Sequence, residues 1–213
     1  MEEFITILDR QSTEIVEKKS KFIANIIHIE NIDEAEQVIK EVRKKYHDAR
    51  HNCIAYRVMN DGQIIEKSSD DGEPSGTAGG PMLNILKKNN LCNLVVIVTR
   101  YFGGILLGTG GLVRAYSDVT LQVIEKCTKI IKVDGLELII ELDYSNLENF
   151  KYYCKCNDIF VKNIDYSENV KIKIEMEKNR KKYFLDDIET KKLNIQCFQL
   201  IKESYIDKIL DKK

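Results

Sequence analysis

The sequence predicts an α+β protein with two domains, and three features of the chain support this. Its 213 residues exceed the usual size of one domain. Apolar residues make up 43% and charged residues 31%, which is the balance of a chain that can bury a core. Strand patterns are interspersed with helix patterns, and Gly135 separates two such series. We therefore expect a first domain at residues 1–134 and a second at residues 136–213.

The first domain is predicted to combine strands with three helices. Asp33 is suited to cap a helix whose apolar residues recur at helical spacing, and Pro81 fits the first position of another. Asn60-Asp61-Gly62 predicts a hairpin turn between two strands. The predicted strands are residues 13–16, 21–29, 52–59, 63–67, 94–99 and 130–133, and the predicted helices are residues 33–46, 81–88 and 111–126.

The second domain has the element order of a ferredoxin-like fold. Its predicted strands and helices follow one another as βαββαβ, which is the pattern of that fold. The predicted strands are residues 136–142, 159–166, 170–176 and 195–201, and the predicted helices are residues 146–156 and 180–193.

The net charge of the chain is -1. This value excludes a function that depends on attracting nucleic acid by an overall positive charge. Charge is nevertheless unevenly distributed. Residues 74–117 contain no Asp or Glu, although Lys87, Lys88, Arg100 and Arg114 lie there. Any anionic partner must therefore be bound by a local patch, and this segment is the candidate.

The sequence contains six cysteines, whose state depends on the redox compartment. No signal-peptide pattern is evident at the start of the sequence, and no apolar run approaches the roughly 20 residues of a membrane helix. We expect a cytoplasmic protein with free thiols and no membrane partner.

Two glycine-rich segments, residues 68–79 and 100–116, each lead into a predicted helix, and nine of the eleven glycines lie between Gly72 and Gly111. Helix N-termini present free N–H groups and the positive end of the helix dipole, so such loops suit phosphate groups. Hydroxyl groups and guanidinium groups in the same segments add donors. The candidate phosphate-binding or nucleic-acid-binding residues are Ser75, Gly76, Thr77, Arg100, Gly103, Gly104, Gly108, Thr109, Gly110, Gly111 and Arg114.

Catalytic and cofactor motifs are not found. The sequence contains no G-x-G-x-x-G fingerprint, no P-loop and no G-x-S-x-G motif, so we predict no cofactor and favour a protein that is not an enzyme. Asp70, Asp71 and Glu73 have two interpretations, as ligands of a Mg²⁺ ion beside a phosphate or as acceptors for nearby backbone N–H groups. His47 and His51 with Cys53 suggest a metal site only weakly, because Cys53 falls in a predicted strand.

Aromatic and apolar residues of the two segments have alternative roles. Tyr101, Phe102 and Tyr116 either stack on bases or anchor the loop to its core. Ile105, Leu106 and Leu107 form a protein-binding surface if they are exposed, and belong to the core if they are not.

Three motifs resemble those of the Impact family, in particular its bacterial YigZ-type members. They are ARHNCIAYR at residues 49–57, SSDDGEPSGTAG at residues 68–79 and RYFGGILLGTGGLVRAY at residues 100–116, and the resemblance covers residues 18–126. It implies a first domain of the ribosomal protein S5 domain-2-like type and a second that is similar to the last domain of elongation factor G. Eukaryotic members of the family are implicated in translational control.

Three functional hypotheses follow from the motifs and the resemblance. The first is a non-catalytic translation regulator that binds RNA or the ribosome through phosphate groups. The second is an enzyme that acts on a phosphorylated small molecule or a nucleotide, with Asp70, Asp71 and Glu73 as metal ligands. The third is a protein-interaction module with a protein partner bound at Ile105, Leu106 and Leu107.

Overall fold

The computed structural model describes residues 3–60 and 62–209, and contacts divide the chain into two compact units. The N-terminal unit holds residues 4–131, and the C-terminal unit holds residues 132–208 with Glu3. No helix among the described residues is both long enough and apolar enough to cross a membrane. The elements before residue 129 are β1 (Phe4–Ile7), β2 (Gln11–Glu17), β3 (Ser20–His28), α1 (Ile32–Lys45), β4 (His51–Asn60), β5 (Gln63–Ser69), α2 (Gly79–Lys88), β6 (Leu94–Tyr101) and α3 (Thr109–Glu125).

The N-terminal unit is built on an antiparallel sheet with the strand order β2-β3-β6-β4-β5. The central strand, β6, is buried at every position from Leu94 to Arg100. Its continuous apolar run is typical of a strand that is covered on both faces.

Both faces of this sheet carry helices, because residues along each strand point alternately to opposite sides. In β4, Cys53 and Ala55 pack in the core that also contains residues of α2 and α3. Ile54 and Tyr56 pack in a second core together with residues of α1. The sheet is therefore the middle layer of three, with α2 and α3 on one side and α1 on the other.

The C-terminal unit has the ferredoxin-like order that the sequence predicted. Its strands lie side by side as β10-β7-β9-β8, and α4 and α5 supply the large core side chains Phe150 and Phe184. The α+β fold class is thereby confirmed. The elements are β7 (Lys129–Leu142), α4 (Leu147–Cys156), β8 (Phe160–Tyr166), β9 (Val170–Glu177), α5 (Lys181–Glu189) and β10 (Cys197–Ile209).

Gly135 does not interrupt the chain as the sequence suggested. The predicted strands at residues 130–133 and 136–142 form one strand, β7, that runs through Gly135. A Cβ atom at this position would lie 2.5 Å from a methyl carbon of Ile206 on the neighbouring β10. Glycine is therefore needed here because the neighbouring strand packs closely against its backbone, which is a common reason for glycine within a strand.

The hairpin turn predicted at Asn60-Asp61-Gly62 contains Asp61, which lies outside the described residues. The strands on either side of it, β4 and β5, pair in antiparallel fashion, and Asn60 is opposite Gln63. The strands also differ from prediction at their ends, since β10 reaches Ile209 and the extra strand β1 precedes β2.

Candidate functional site

Three connections of the N-terminal unit meet at one end of its sheet. They are the β2–β3 turn, residues 70–78 between β5 and α2 (the first glycine loop), and residues 102–108 between β6 and α3 (the second glycine loop). The strand register places them together, because Lys21 is opposite Tyr101 and His51 is opposite Arg100. The two glycine-rich segments singled out in the sequence are thus neighbours in the fold.

The first glycine loop folds around the side chain of Asp70. One carboxylate oxygen of Asp70 accepts hydrogen bonds from the amides of Ala78 (3.0 Å) and Gly79 (2.9 Å), and the other accepts from the amide of Gly76 (2.8 Å). Burial acts to raise the pKa of Asp70, but the three amide bonds outweigh it and hold this pKa below its ordinary value. A carboxylate of the chain itself therefore occupies the N-terminus of α2, where we expected a phosphate.

Asp71 fastens the same loop to the elements beside it. Its Oδ2 accepts from the amide of Asn52 at 2.7 Å, and its Oδ1 accepts from the guanidinium of Arg43 at 2.8 Å. Within residues 3–60 and 62–209, no group of three or more His, Cys, Asp or Glu side chains is placed to hold a metal ion. Of the two interpretations of the acidic residues, the geometry supports acceptance of hydrogen bonds.

Arg100 is the residue that the structure places most differently from expectation. It lies in the core, paired with Glu73, and the two side chains expose only 6% and 3% of their surface. Its Nη1 donates to both oxygens of Glu73, at 2.7 and 3.0 Å. Its guanidinium carbon lies over the rings of Phe22 and Phe102, 5.3 and 5.6 Å from their centroids. Arg100 therefore binds an internal anion, and its assignment to an external phosphate is corrected.

Further polar groups complete this buried cluster. The hydroxyl of Tyr116 donates to Glu73 at 2.8 Å, and the Oγ of Ser20 accepts from Arg100 at 3.3 Å. The same Ser20 oxygen accepts from the amide of Gly103 at 3.2 Å, which connects the cluster to the second glycine loop. Burial, reinforced by the neighbouring Cys53 and Glu73, raises the pKa of Tyr116 far above its ordinary value, so the phenol is a permanent donor.

His51 and Cys53 have structural roles at this end of the sheet. The Nδ1 of His51 is hydrogen-bonded to the carbonyl oxygen of Asp71 at 2.9 Å, and the thiol of Cys53 donates to the carbonyl of Asp70 at 3.0 Å. Burial raises the pKa of Cys53 to about 12, which removes it as a nucleophile.

The second glycine loop leads into a helix N-terminus of a different kind. Gly108 precedes α3 with a φ of 73°, no side chain caps the helix, and its first turn contains no acidic residue. Thr109 and Gly110 are exposed, and a Cβ atom at Gly110 would meet nothing within 4 Å. Arg114 is exposed one turn further along the helix. This terminus presents backbone N–H groups to solvent beside one guanidinium group.

The second glycine loop also exposes apolar surface. Leu106 is 81% exposed and Ile105 is 42% exposed, whereas Leu107 is buried in the core. Among the three aromatic residues considered for stacking, Phe102 is 47% exposed, Tyr116 is buried, and the hydroxyl of Tyr101 donates to Asp48 at 2.8 Å.

Comparisons with known proteins agree with the motifs. The Impact N-terminal domain matches residues 18–124, and a domain of unknown function, DUF1949, matches residues 140–189. The chain belongs to the Impact family.

Its relatives include bacterial proteins of the YigZ type. The IMPACT family member YvyE of Bacillus subtilis is 37% identical over 187 residues, which are 85% of this chain and 83% of that protein. The IMPACT family member YigZ of Escherichia coli is 36% identical over 159 residues, 74% of this chain and 78% of that protein. A solved structure described as a hypothetical protein is 31% identical, covers 94% of this chain and 97% of its own, and has a TM-score of 0.61.

In this Impact protein the predicted site residues fall into three groups by exposure. Two are buried, Thr77 and Arg100, and the hydroxyl of Thr77 donates to the carbonyl of Pro74 at 2.6 Å. Gly103 and Gly111 are half-buried. The exposed residues are Ser75, Gly76, Gly104, Gly108, Thr109, Gly110 and Arg114.

The β2–β3 turn also contributes to this surface. Lys18 and Lys19 form the β2–β3 turn, and both are exposed. A Cβ atom at Gly103 would lie 2.0 Å from the backbone carbon of Lys19, so this turn and the second glycine loop are in direct contact. Gly103 makes this contact possible, because glycine has no side chain and therefore permits such close approach of two backbones.

Asp70→Asn should destabilise the N-terminal unit by about 1 to 2 kcal/mol at neutral pH, since an amide cannot replace all three charged hydrogen bonds. The pKa of Asp70 is lowered in the folded protein. Its contribution is therefore complete above the unfolded-state pKa and is lost as the pH falls through the folded-state pKa. Urea unfolding over a pH series should show the difference from wild type shrinking in acid. Asp118→Asn, at an exposed position of α3, is the control, and equal stability of both variants at neutral pH would refute the capping role.

Glu73→Ala should cost about 3 to 5 kcal/mol, because it leaves the guanidinium of Arg100 buried without its partner. Hydrogen exchange should accelerate in both glycine loops, while peptides of the C-terminal unit serve as the internal reference. The double variant Glu73→Leu with Arg100→Met should recover much of the loss, since it removes both charges. Unchanged exchange in the second glycine loop of Glu73→Ala would contradict the coupling of the two loops.

Proposed function

We propose that this protein acts in translation regulation by binding RNA or the ribosome, and that the N-terminus of α3 contacts backbone phosphate groups. The observation that carries the proposal is the uncapped start of α3, with Thr109 and Gly110 exposed and Arg114 one turn further on. The first N–H groups of a helix have no partner within it, and together they carry about half a positive charge. A phosphate oxygen accepts hydrogen bonds from these N–H groups, and its negative charge is attracted by the partial positive charge.

The charges around this terminus support an anionic partner. No acidic residue occurs between residues 74 and 117, so no carboxylate of that segment competes with a phosphate. Arg114 and the two lysines of the β2–β3 turn add exposed cations beside the second glycine loop. Phosphate contacts from so few cations are compatible with a net charge of -1, because the attraction is local.

The two glycine loops each lead into a helix, so the N-termini of α2 and α3 can be compared. The amides at the start of α2 are bound by the carboxylate of Asp70. The start of α3 has similar glycine-rich backbone, but no side chain caps it and its first turn contains no acidic residue. The carboxylate of Asp70 is an oxyanion bound by such a backbone nest, which supports the proposal that the start of α3 binds an oxyanion of another molecule.

Membership of the Impact family supports a role in translation, since the resemblance of the motifs implies translational control in the eukaryotic members. The catalytic alternative receives no support from the loop geometry. Each carboxylate considered for a metal is engaged within the fold, Asp70 by amides, Asp71 by Arg43 and Glu73 by Arg100.

The exposed apolar residues favour a second candidate function, recognition of a protein surface. Leu106 projects from the second glycine loop with 81% of its surface exposed, next to Ile105. An exposed leucine within the proposed phosphate-binding loop suits a mixed surface of RNA and protein, which a ribosome offers. The same loop then contacts phosphate through its amides and protein through Leu106.

Thr109→Glu should weaken RNA or ribosome binding while it strengthens the fold. A carboxylate in the first turn of α3 stabilises the helix by about 0.3 to 1 kcal/mol and repels a phosphate at the same place. Filter binding across a salt series measures affinity, and urea unfolding measures stability. Arg114→Ala should lower the salt slope by about 0.7 to 0.9, corresponding to one phosphate contact.

The control for Thr109→Glu is Gln122→Glu, which makes the same charge change at an exposed position 13 residues further along α3. That carboxylate lies about 20 Å away, beyond the screening length at physiological salt, so binding should be unchanged. Equal losses in both variants would show that overall charge, and not the N-terminus of α3, governs binding.

Leu106→Ser should reduce sedimentation with ribosomes but leave the binding of a short free RNA unchanged. The leucine contributes apolar contact worth about 1 to 2 kcal/mol, and this contribution should not weaken at high salt. Leu121→Ser, at an exposed position of α3, is the matched control. If both ligands lose affinity equally, Leu106 contacts RNA and the protein-recognition role is wrong.

A further inference from the structure

A cleft of about 410 Å³ lies within the C-terminal unit, between α4 and the segment that follows α5. Its walls come from one stripe of α4 and from residues 192–194. Binding sites for small molecules usually measure about 300 to 1,000 Å³, so the cleft can hold a ligand of a few rings. It is separate from the glycine loops, which belong to the N-terminal unit.

The floor of the cleft is apolar and partly aromatic. Phe150 and Leu193 are buried at its base, 2% and 8% exposed. The ring of Tyr153 stacks on that of Phe150, with the centroids 6.4 Å apart and an interplanar angle of 21°. A planar ring that enters the cleft would therefore rest on carbon surface and aromatic edges.

The rim of the cleft is lined by side-chain amides. Asn146, Asn149 and Asn194 all line it, and their side-chain amides make no hydrogen bond to another protein group among the described residues. Each amide offers two N–H donors next to a carbonyl acceptor. That pairing matches the adjacent donor and acceptor groups on the edge of a nucleobase, which asparagine recognises with two parallel hydrogen bonds.

Charge at the mouth of the cleft is already balanced. Asp187 accepts from the ammonium of Lys192 at 3.0 Å and from the hydroxyl of Tyr153 at 2.8 Å. The carboxylate is thereby satisfied by its own neighbours, and the cation beside it is neutralised. A ligand of the cleft is consequently selected by its ring and its polar edge, and not by a net charge.

We infer that this cleft binds the base of a nucleoside or of a similar small molecule. The base lies on the floor formed by Phe150 and Leu193, and its polar edge pairs with the amides of Asn146, Asn149 and Asn194. The inference goes beyond the proposed function, because it uses neither α3 nor Arg114.

Titration of the full-length protein with adenosine, guanosine, cytidine and uridine, followed by calorimetry or ligand-observed NMR, tests the inference. At least one nucleoside should bind at millimolar concentration or below. Benzyl alcohol, which has an aromatic ring but no amide-like edge, and ribose, which has no aromatic base, should bind more weakly than that nucleoside. Equal binding of benzyl alcohol, or no binding of any nucleoside, overturns the inference.

The exposed thiols of the chain locate the binding site. Cys156 lines the cleft, whereas Cys197 is exposed on β10 outside it. With the bound nucleoside at ten times its dissociation constant, alkylation of Cys156 should slow about tenfold, because the free fraction falls to about one-eleventh. Alkylation of Cys197 should keep its rate. Equal slowing of both thiols, or of neither, places the ligand elsewhere and overturns the inference.

Asn149→Ala should weaken nucleoside binding about fivefold, the effect of one neutral hydrogen bond. Asn163→Ala, at an exposed position of β8 outside the cleft, is the control and should bind as wild type does. Arg114→Ala should also leave nucleoside binding unchanged, so failure of the phosphate site and failure of the cleft are distinguishable. Unaltered affinity in Asn149→Ala, together with Asn194→Ala, refutes recognition by the amides.

Discussion

The buried ion pair between Arg100 and Glu73 is the constraint on which the candidate site depends. It joins the end of the central strand β6 to the first glycine loop, across 27 residues of sequence. Taking both charges out of water is expensive, and the pair is tolerable only if further hydrogen bonds satisfy it. Tyr116 and Ser20 supply such bonds, and two phenylalanine rings enclose the guanidinium, although the Nε of Arg100 makes no hydrogen bond within the described residues. Because Ser20 also binds the amide of Gly103, the same cluster fixes the second glycine loop.

Fixing the loops in this way affects what they can bind. Loops that are ordered before a ligand arrives lose less conformational entropy on binding, so a few N–H groups suffice for useful affinity. The first loop uses this rigidity internally, since its amides are committed to Asp70. The second loop leads into an uncapped helix, and its exposed residues belong to the proposed phosphate site. The two glycine segments thus differ, although their sequences are similar. The difference is that acidic residues such as Asp70 precede the glycines of the first loop only.

Local patterns in the sequence predicted most of the fold. The apolar run of β6, the stripe of α1 and the βαββαβ order all depend on residues close in sequence, and all are confirmed. Gly135 was misjudged because its neighbour, Ile206, is 71 residues away and no local pattern reveals the contact. Arg100 was misjudged for the same reason. Its segment contains no acidic residue, so it was expected to bind an external phosphate, but the fold brings Glu73 to it. What the sequence did contain was the capping potential of Asp70, which lies at the start of a loop that turns back on its side chain.

The modest charge of the protein limits what the proposed phosphate site at α3 can bind. Arg114 lies in the helix that follows the second glycine loop, Lys18 and Lys19 form the turn that contacts this loop, and all three are exposed. Three phosphate contacts of about 0.7 to 0.9 each give a salt slope of only about 2 to 3, far below that of proteins that bind nucleic acid mainly by charge. Phosphate contacts also carry no sequence information. Any selectivity must therefore come from shape and from apolar contact, and Leu106 lies where such contact can be made. A ribosome, which presents folded RNA beside protein, meets that requirement better than an unstructured strand.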